Sequence, residues 1–196
     1  MRLPKAAHAA SLAALLLCTG AALAQPSGAP AADTPASAAQ ARPELGALPG
    51  ARLVGQTRLT VWGFEVYDAR LWAPAGFNAA GFAASPLALE LNYLRDFQAA
   101  DIAERSLKEM RRSQPISEAQ AAQWKAELIR VLPNVRKGDR ITGVHRPGQG
   151  AAFWVNGRPG GEILDAGFAR LFFGIWLSPA TSEPKMRDAL LVESGR

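Results

Sequence analysis

Cysteine and histidine are scarce in this chain, and their scarcity excludes several kinds of site. Among 196 residues there is one cysteine, Cys18, and there are two histidines, His8 and His145. An internal disulfide needs two cysteines, and a structural zinc site usually needs four cysteine or histidine ligands. A Gly-x-Ser-x-Gly motif, typical of one large class of serine hydrolases, is also missing. We therefore expect no metal site and no cofactor, and a fold stabilised by an ordinary apolar core.

Only one long apolar run is present, and it has the form of a secretion signal. Arg2 and Lys5 precede the uncharged stretch 9–22, and the small residues Ala22 and Ala24 follow at its end. A membrane span needs about 20 consecutive apolar residues. The shorter run therefore predicts a signal peptide, residues 1–24, cleaved after Ala24. We expect a periplasmic or secreted protein whose mature chain has no transmembrane segment.

Charge of one sign is not concentrated anywhere in the sequence. The chain has 22 Lys and Arg against 17 Asp and Glu, a net charge of +5. Loss of Arg2 and Lys5 with the signal leaves 20 against 17, so the net charge falls to +3. Because nucleic-acid binding usually needs a clustered basic face, we expect no nucleic-acid partner. The sequence does not indicate an oligomeric state.

The composition divides the rest of the chain into a linker and one domain. Residues 25–50 are rich in Ala, Pro, Ser and Gly and hold few large apolar side chains. Such a segment buries too little surface to offset the entropy of ordering, so it predicts a disordered linker. Residues 51–196 have the length of one domain.

A β-hairpin is predicted at the start of that domain, with a candidate binding pair on it. Polar and apolar residues alternate over 51–72, with Trp62 and Gly63 at the centre as a two-residue loop. This register pairs Arg58 with Tyr67. An arginine and a tyrosine hydroxyl side by side can hold a carboxylate. The alternative is an exposed pair that only covers the sheet.

The remainder shows strands, then two helices, then strands and finally helices, and this order of separate runs predicts an α+β fold. The predicted strands are 86–94, 139–145, 151–156 and 161–163, and the predicted helices are 100–112, a helix capped by Ser117, a helix capped by Asp165, and a short helix ending at Leu191. Helices would then pack on a largely antiparallel sheet. His145 falls at the end of a strand, before Arg146, and is predicted to be a surface residue.

Several segments together resemble the bacterial chalcone isomerase-like family. They are Gly55-x-x-Arg58, 61–72, 91–96, 103–110, 138–141, 153–158, 172–177 and 181–184, in the same order as in the family. The resemblance covers nearly all of 51–196. It implies an open-faced β-sandwich, in which helices cover a large antiparallel sheet and a ligand cleft lies between the layers.

The resemblance also implies roles for individual residues. The arginine of the isomerases maps to Arg58, and their threonine maps to Tyr67. Relatives that bind fatty acids carry a tyrosine near that position, where it and the arginine hold a carboxylate. The catalytic tyrosine maps to Ala99, which can neither donate a proton nor orient a water molecule. Loss of such an acid–base group typically costs 10²–10⁴-fold in rate. The substrate-contacting asparagine becomes Ser106. Tyr93, on the preceding strand, is a candidate to replace the missing tyrosine.

Three functions follow from this sequence. We favour an exported, non-catalytic protein that binds a small amphipathic carboxylate, such as a fatty acid, through Arg58, Tyr67, Tyr93 and Ser106. The alternative is an isomerase or intramolecular lyase of the chalcone isomerase type. The third is an envelope-maintenance protein whose cleft has closed.

Overall fold

Six strands form one antiparallel sheet in the computed structural model, which describes residues 42–192. The strands follow chain order across the sheet and are β1 Arg52–Val61, β2 Phe64–Ala73, β3 Leu87–Tyr93, β4 Arg140–Arg146, β5 Gly150–Val155 and β6 Arg158–Ile163. The helices are α1 Ala99–Met110, α2 Glu118–Val131, α3 Ala166–Leu177 and α4 Pro184–Leu190. The predicted α+β class and the antiparallel sheet are confirmed. The predicted signal peptide and most of the predicted linker lie outside the described residues.

The first hairpin has the predicted turn but not the predicted register throughout. Trp62 and Gly63 have φ of 50° and 82°, the positive values that a tight hairpin loop requires. Beyond the loop the register shifts, because β2 contains one extra residue, Val66, opposite β1. Leu59 therefore pairs with Tyr67 rather than Val66. Successive side chains point to opposite faces of a strand, so this bulge changes which β1 residues share a face with Tyr67.

Side-chain caps fix the ends of two helices at the predicted residues. The Ser117 side chain accepts a hydrogen bond from the backbone N–H of Gln120, at 3.2 Å, and α2 begins there. Asp165 accepts one from Phe168 N at 2.9 Å, and its second oxygen accepts from the Trp124 indole, also at 2.9 Å. Asp165 thus both starts α3 and joins it to α2.

The four helices cover one face of the sheet. The largest fully buried side chains include Trp124, Phe153, Phe168 and Phe173, which come from α2, β5 and α3. At the edge of this core, α4 approaches β1 closely at Gly55. A Cβ atom there would lie 2.4 Å from the carbonyl oxygen of Ala189, so only glycine fits.

The opposite face of the sheet is partly covered by the segment that precedes β1. Pro43–Ala47 forms a 3₁₀ helix, and Leu45 and Leu48 are buried against Trp72 and Val144. The predicted boundary at residue 51 is therefore wrong. The folded domain begins at least as early as Arg42, because two buried leucines and the polar contacts of Arg42 and Glu44 hold this segment on the sheet.

A buried carboxylate joins that segment to the sheet. Glu90 on β3 is 1% exposed and accepts hydrogen bonds from Arg42, at 3.2 Å from Nη2, and from Arg70, at 2.9 Å from Nη1. Burial alone would raise the pKa of Glu90, but these two hydrogen bonds hold it below its usual value. The ion pair therefore stabilises the covered face only while Glu90 is ionised.

His145 is buried, contrary to the prediction of a surface position. It is 2% exposed, its Nδ1 lies 3.0 Å from the Ser85 carbonyl oxygen, and its ring centroid is 5.1 Å from that of Phe173. Period two along β4 turns this residue toward the helices. Burial lowers its pKa, which favours a neutral packing role.

Candidate functional site

An apolar cavity of about 420 Å³ lies between the sheet and the helices α1, α3 and α4. Its apolar walls are formed by Leu59, Val61, Val66, Leu91, Phe97, Ile102, Leu132, Ile141, Phe172, Ile175, Trp176 and Met186. The volume is within the range of small-molecule sites, about 300–1,000 Å³. The polar groups on this lining therefore decide what the cavity can hold.

Two tyrosines on neighbouring strands form the polar pair of the cavity. Tyr67 on β2 lies directly opposite Tyr93 on β3, and their ring centroids are 6.0 Å apart in an edge-to-face arrangement. The Tyr67 hydroxyl accepts a hydrogen bond from the Trp176 indole at 3.0 Å. The Tyr93 hydroxyl makes no hydrogen bond within residues 42–192, although the residue is only 5% exposed.

Both phenols keep their protons at neutral pH. Burial raises the pKa of Tyr67 to about 12, and a hydrogen bond from Trp176 offsets part of that effect. Burial also raises the pKa of Tyr93, with a smaller contribution from the neighbouring Tyr67. Each O–H can therefore donate to a ligand, and the two donors point from adjacent strands toward one space.

Arg58 does not belong to this site, which corrects the predicted pair of Arg58 and Tyr67. The bulge at Val66 places Arg58 opposite Asp68, on the other face of the hairpin. There the guanidinium binds both carboxylate oxygens of Asp68, at 2.6 and 3.0 Å, and also contacts Glu65. These hydrogen bonds raise its pKa. The surface interpretation of Arg58 is the one that the geometry supports.

Ser106, which was predicted to contact a ligand, lies on the cavity lining. Its hydroxyl proton already takes part in a hydrogen bond. Its Oγ donates to the Ile102 carbonyl oxygen at 2.8 Å, within α1. It can therefore accept a hydrogen bond from a ligand rather than donate one. Ala99, where the isomerases have a tyrosine, is the first residue of α1 and is buried outside the lining.

The residues that the sequence analysis missed are charged ones on α1. Asp101, Arg105 and Glu109 follow one another at the helical spacing of four, on the stripe that also carries Ile102 and Ser106. Residues four apart lie on one face of a helix. This spacing could have indicated that the three charged side chains share one face of α1, but not that this face borders the cavity.

Arg105 on that stripe is held by an ion pair. Its Nη2 lies 2.9 Å from Oε1 of Glu109, and its side chain is 64% exposed whereas that of Glu109 is 9% exposed. Glu183, before α4, also lines the cavity. The cationic group thus lies mainly in solvent at the mouth, with carboxylates around it.

Within residues 42–192, no group of three or more His, Cys, Asp or Glu side chains is placed to hold a metal ion. In the same range, no helix combines the length and apolarity needed to cross a bilayer.

The chain is similar to known proteins in both sequence and fold. The family model described as chalcone isomerase-like matches residues 52–192. Among solved structures, a fatty-acid binding protein of Arabidopsis thaliana superposes with a TM-score of 0.59 at 11% identity, over 74% of this chain and 89% of that one. A search of curated protein sequences found no match. At so low an identity the structural likeness establishes the fold alone.

Proposed function

Because this chain belongs to the chalcone isomerase-like family, we propose that it acts as a non-catalytic binding protein on that fold. Its ligand is a small molecule with one apolar chain and a polar head, such as a fatty acid or a close derivative. The observation that carries the proposal is the apolar cavity with the Tyr93 hydroxyl unpaired on its wall. Because this hydroxyl faces the cavity, a ligand that enters can accept its hydrogen bond in place of water.

The walls of the cavity suit an alkyl chain. Burial of one methylene group contributes about 0.8 kcal/mol, so a chain of several carbons supplies most of the affinity. The two phenols then fix the position of the head. The structural neighbour from Arabidopsis is named as a fatty-acid binding protein, and its common fold is consistent with this use of the cleft.

An isomerase of the chalcone type receives less support from the same residues. Arg58, the arginine expected to act on substrate, is paired with Asp68 away from the cavity. Ala99 brings no acid–base group to the cleft. No specific observation favours catalysis, so binding is the function that we propose.

We also propose that the protein acts outside the cytoplasm, after cleavage behind Ala24. The support is the sequence pattern of residues 1–24 alone. Cell fractionation followed by N-terminal sequencing tests it. A mature chain that begins at Gln25 in the extracytoplasmic fraction is expected, and an uncleaved chain confined to the cytoplasm would contradict it.

Binding is tested by filling the cavity. Ile102 lies on α1 and lines the cavity, so Ile102→Trp should occupy the space of the ligand. A fluorescent probe with one alkyl chain and an uncharged polar head is titrated into the wild type and the variant. We expect saturable binding to the wild type and at least tenfold weaker binding to the variant.

The matched control is Ile129→Trp. Ile129 is 42% exposed on α2 and does not line this cavity, so probe binding should remain within twofold of the wild type. Equal binding by the wild type and Ile102→Trp would place any site elsewhere. Absence of saturable binding to the wild type would refute the proposed function.

A further inference from the structure

The hydroxyl groups on the cavity lining favour some ligand head groups over others. The Tyr67 hydroxyl accepts from Trp176 and keeps its own proton to donate, and the Tyr93 hydroxyl is entirely unpaired within residues 42–192. The Ser106 hydroxyl already donates a hydrogen bond to the Ile102 carbonyl oxygen. The deep polar groups are therefore neutral O–H donors, which require an acceptor but not a charge.

The charges at the mouth are mainly negative. Among the described residues that line the cavity, Arg105 is the one cationic side chain, and Glu109 already holds it at 2.9 Å. Asp101 and Glu183 add two more carboxylates, both on exposed residues. Oε2 of Glu109 is buried and makes no hydrogen bond in the described part of the chain, although Nε of Arg112, which does not line the cavity, lies 3.8 Å from it.

An ionised head group would be poorly accommodated by this arrangement. A carboxylate taken out of water must be paired with a cation to offset its desolvation. Here it would compete with Glu109 for Arg105 and would lie among like charges. An uncharged acceptor needs only the two phenols, which are already placed and protonated.

We propose that the head group bound here is an uncharged hydrogen-bond acceptor, as in an alcohol, ester or ketone of a single-chain lipid. An ionised carboxylate of the same chain length binds more weakly because Glu109 already occupies Arg105. This inference rests on the proposed binding function and narrows its ligand class.

The experiment compares decanol, methyl decanoate and decanoate as competitors of the fluorescent probe at neutral pH, on the mature chain. Decanol and methyl decanoate should bind the wild type at least tenfold more tightly than decanoate. Decanoate binding as tightly as decanol would overturn the inference while the binding function stands. If none of the three displaces the probe, the proposed function fails with it.

Variants separate this electrostatic cause from the greater water solubility of decanoate. Glu109→Gln releases Arg105, so decanoate should bind at least fivefold more tightly while decanol stays within twofold. Glu183→Gln changes an exposed residue and should also make decanoate bind more tightly. It keeps the test valid if the Glu109→Gln protein folds poorly. Tyr93→Phe should weaken decanol about fivefold, the loss of one hydrogen bond. Unchanged decanoate binding in both Gln variants, or unchanged decanol binding in Tyr93→Phe, would refute the inference.

Discussion

Loss of the hydroxyl group should destabilise the protein at Tyr67 but not at Tyr93. Tyr67→Phe removes the hydroxyl that accepts a hydrogen bond from the Trp176 indole. Trp176 is only 7% exposed. Leaving a buried donor without a partner costs about 1–3 kcal/mol, and we expect about 1–2 kcal/mol because water can enter the cavity beside it. Tyr93→Phe breaks no internal hydrogen bond and should change the free energy of unfolding by less than about 0.5 kcal/mol, or increase it.

Urea unfolding of the ligand-free protein measures this difference. For a domain of this size the slope is about 2 kcal/mol per molar urea. Tyr67→Phe should therefore lower the midpoint by roughly 0.5–1 M, and Tyr93→Phe should leave it nearly unchanged. Equal destabilisation by the two substitutions would mean that Tyr93 has an internal partner, and the reasoning about an unpaired donor would be refuted.

Three further substitutions test the packing, the hairpin loop and the buried ion pair of the fold through the free energy of unfolding. Gly55→Ala forces a Cβ against the backbone carbonyl oxygens of α4 and should cost at least 1–3 kcal/mol, whereas Gly46→Ala, with no atom within 4 Å, should be neutral. Trp62→Asn relieves a bulky residue at φ of 50° and should gain about 0.5–1 kcal/mol, with no gain in Trp62→Ala. Glu90→Gln breaks a buried ion pair and should cost about 3–5 kcal/mol at neutral pH. The exposed Glu65→Gln should cost at most about 1 kcal/mol.

The Glu90 prediction includes a pH dependence with a defined sign. Its pKa in the folded protein lies below the usual value of 4.5, so the fold binds this proton less readily than the unfolded chain does. The stabilisation is therefore present above about pH 4.5 and is lost as the pH falls through the folded pKa. The wild type should lose its advantage over Glu90→Gln in acid, and a constant difference between pH 3 and pH 7 would contradict the assignment.

Much of the fold could be predicted because its signals are local. The alternation over 51–72, the loop at Trp62 and Gly63, and the caps at Ser117 and Asp165 each act within a few residues. The structure has the strands, the loop and the caps at these residues, although the bulge at Val66 breaks the predicted register. The 3₁₀ helix before β1 could not be predicted in this way, because its order comes from burial of Leu45 and Leu48 on distant strands.

The candidate site was less predictable because it depends on register. One extra residue at Val66 moves Arg58 to the outer face, and a bulge leaves no clear mark in the alternation of polar and apolar residues. Tyr67 and Tyr93 became neighbours through β2–β3 pairing, which sequence alone did not specify. The ion pair of Arg105 and Glu109 was readable from its spacing, but its position at the cavity mouth was not.

The indole signals of the tryptophans offer the most direct measurement of where a ligand binds. Trp176 lines the cavity, whereas Trp72 and Trp154 lie on the opposite face of the sheet. In an NMR titration of ¹⁵N-labelled protein with decanol, the Trp176 indole signal, assigned by its loss in Trp176→Phe, should shift and saturate at one equivalent while the other two stay in place. No saturable shift of Trp176, or an equal shift of Trp72 and Trp154, would contradict a binding site between the sheet and the helices.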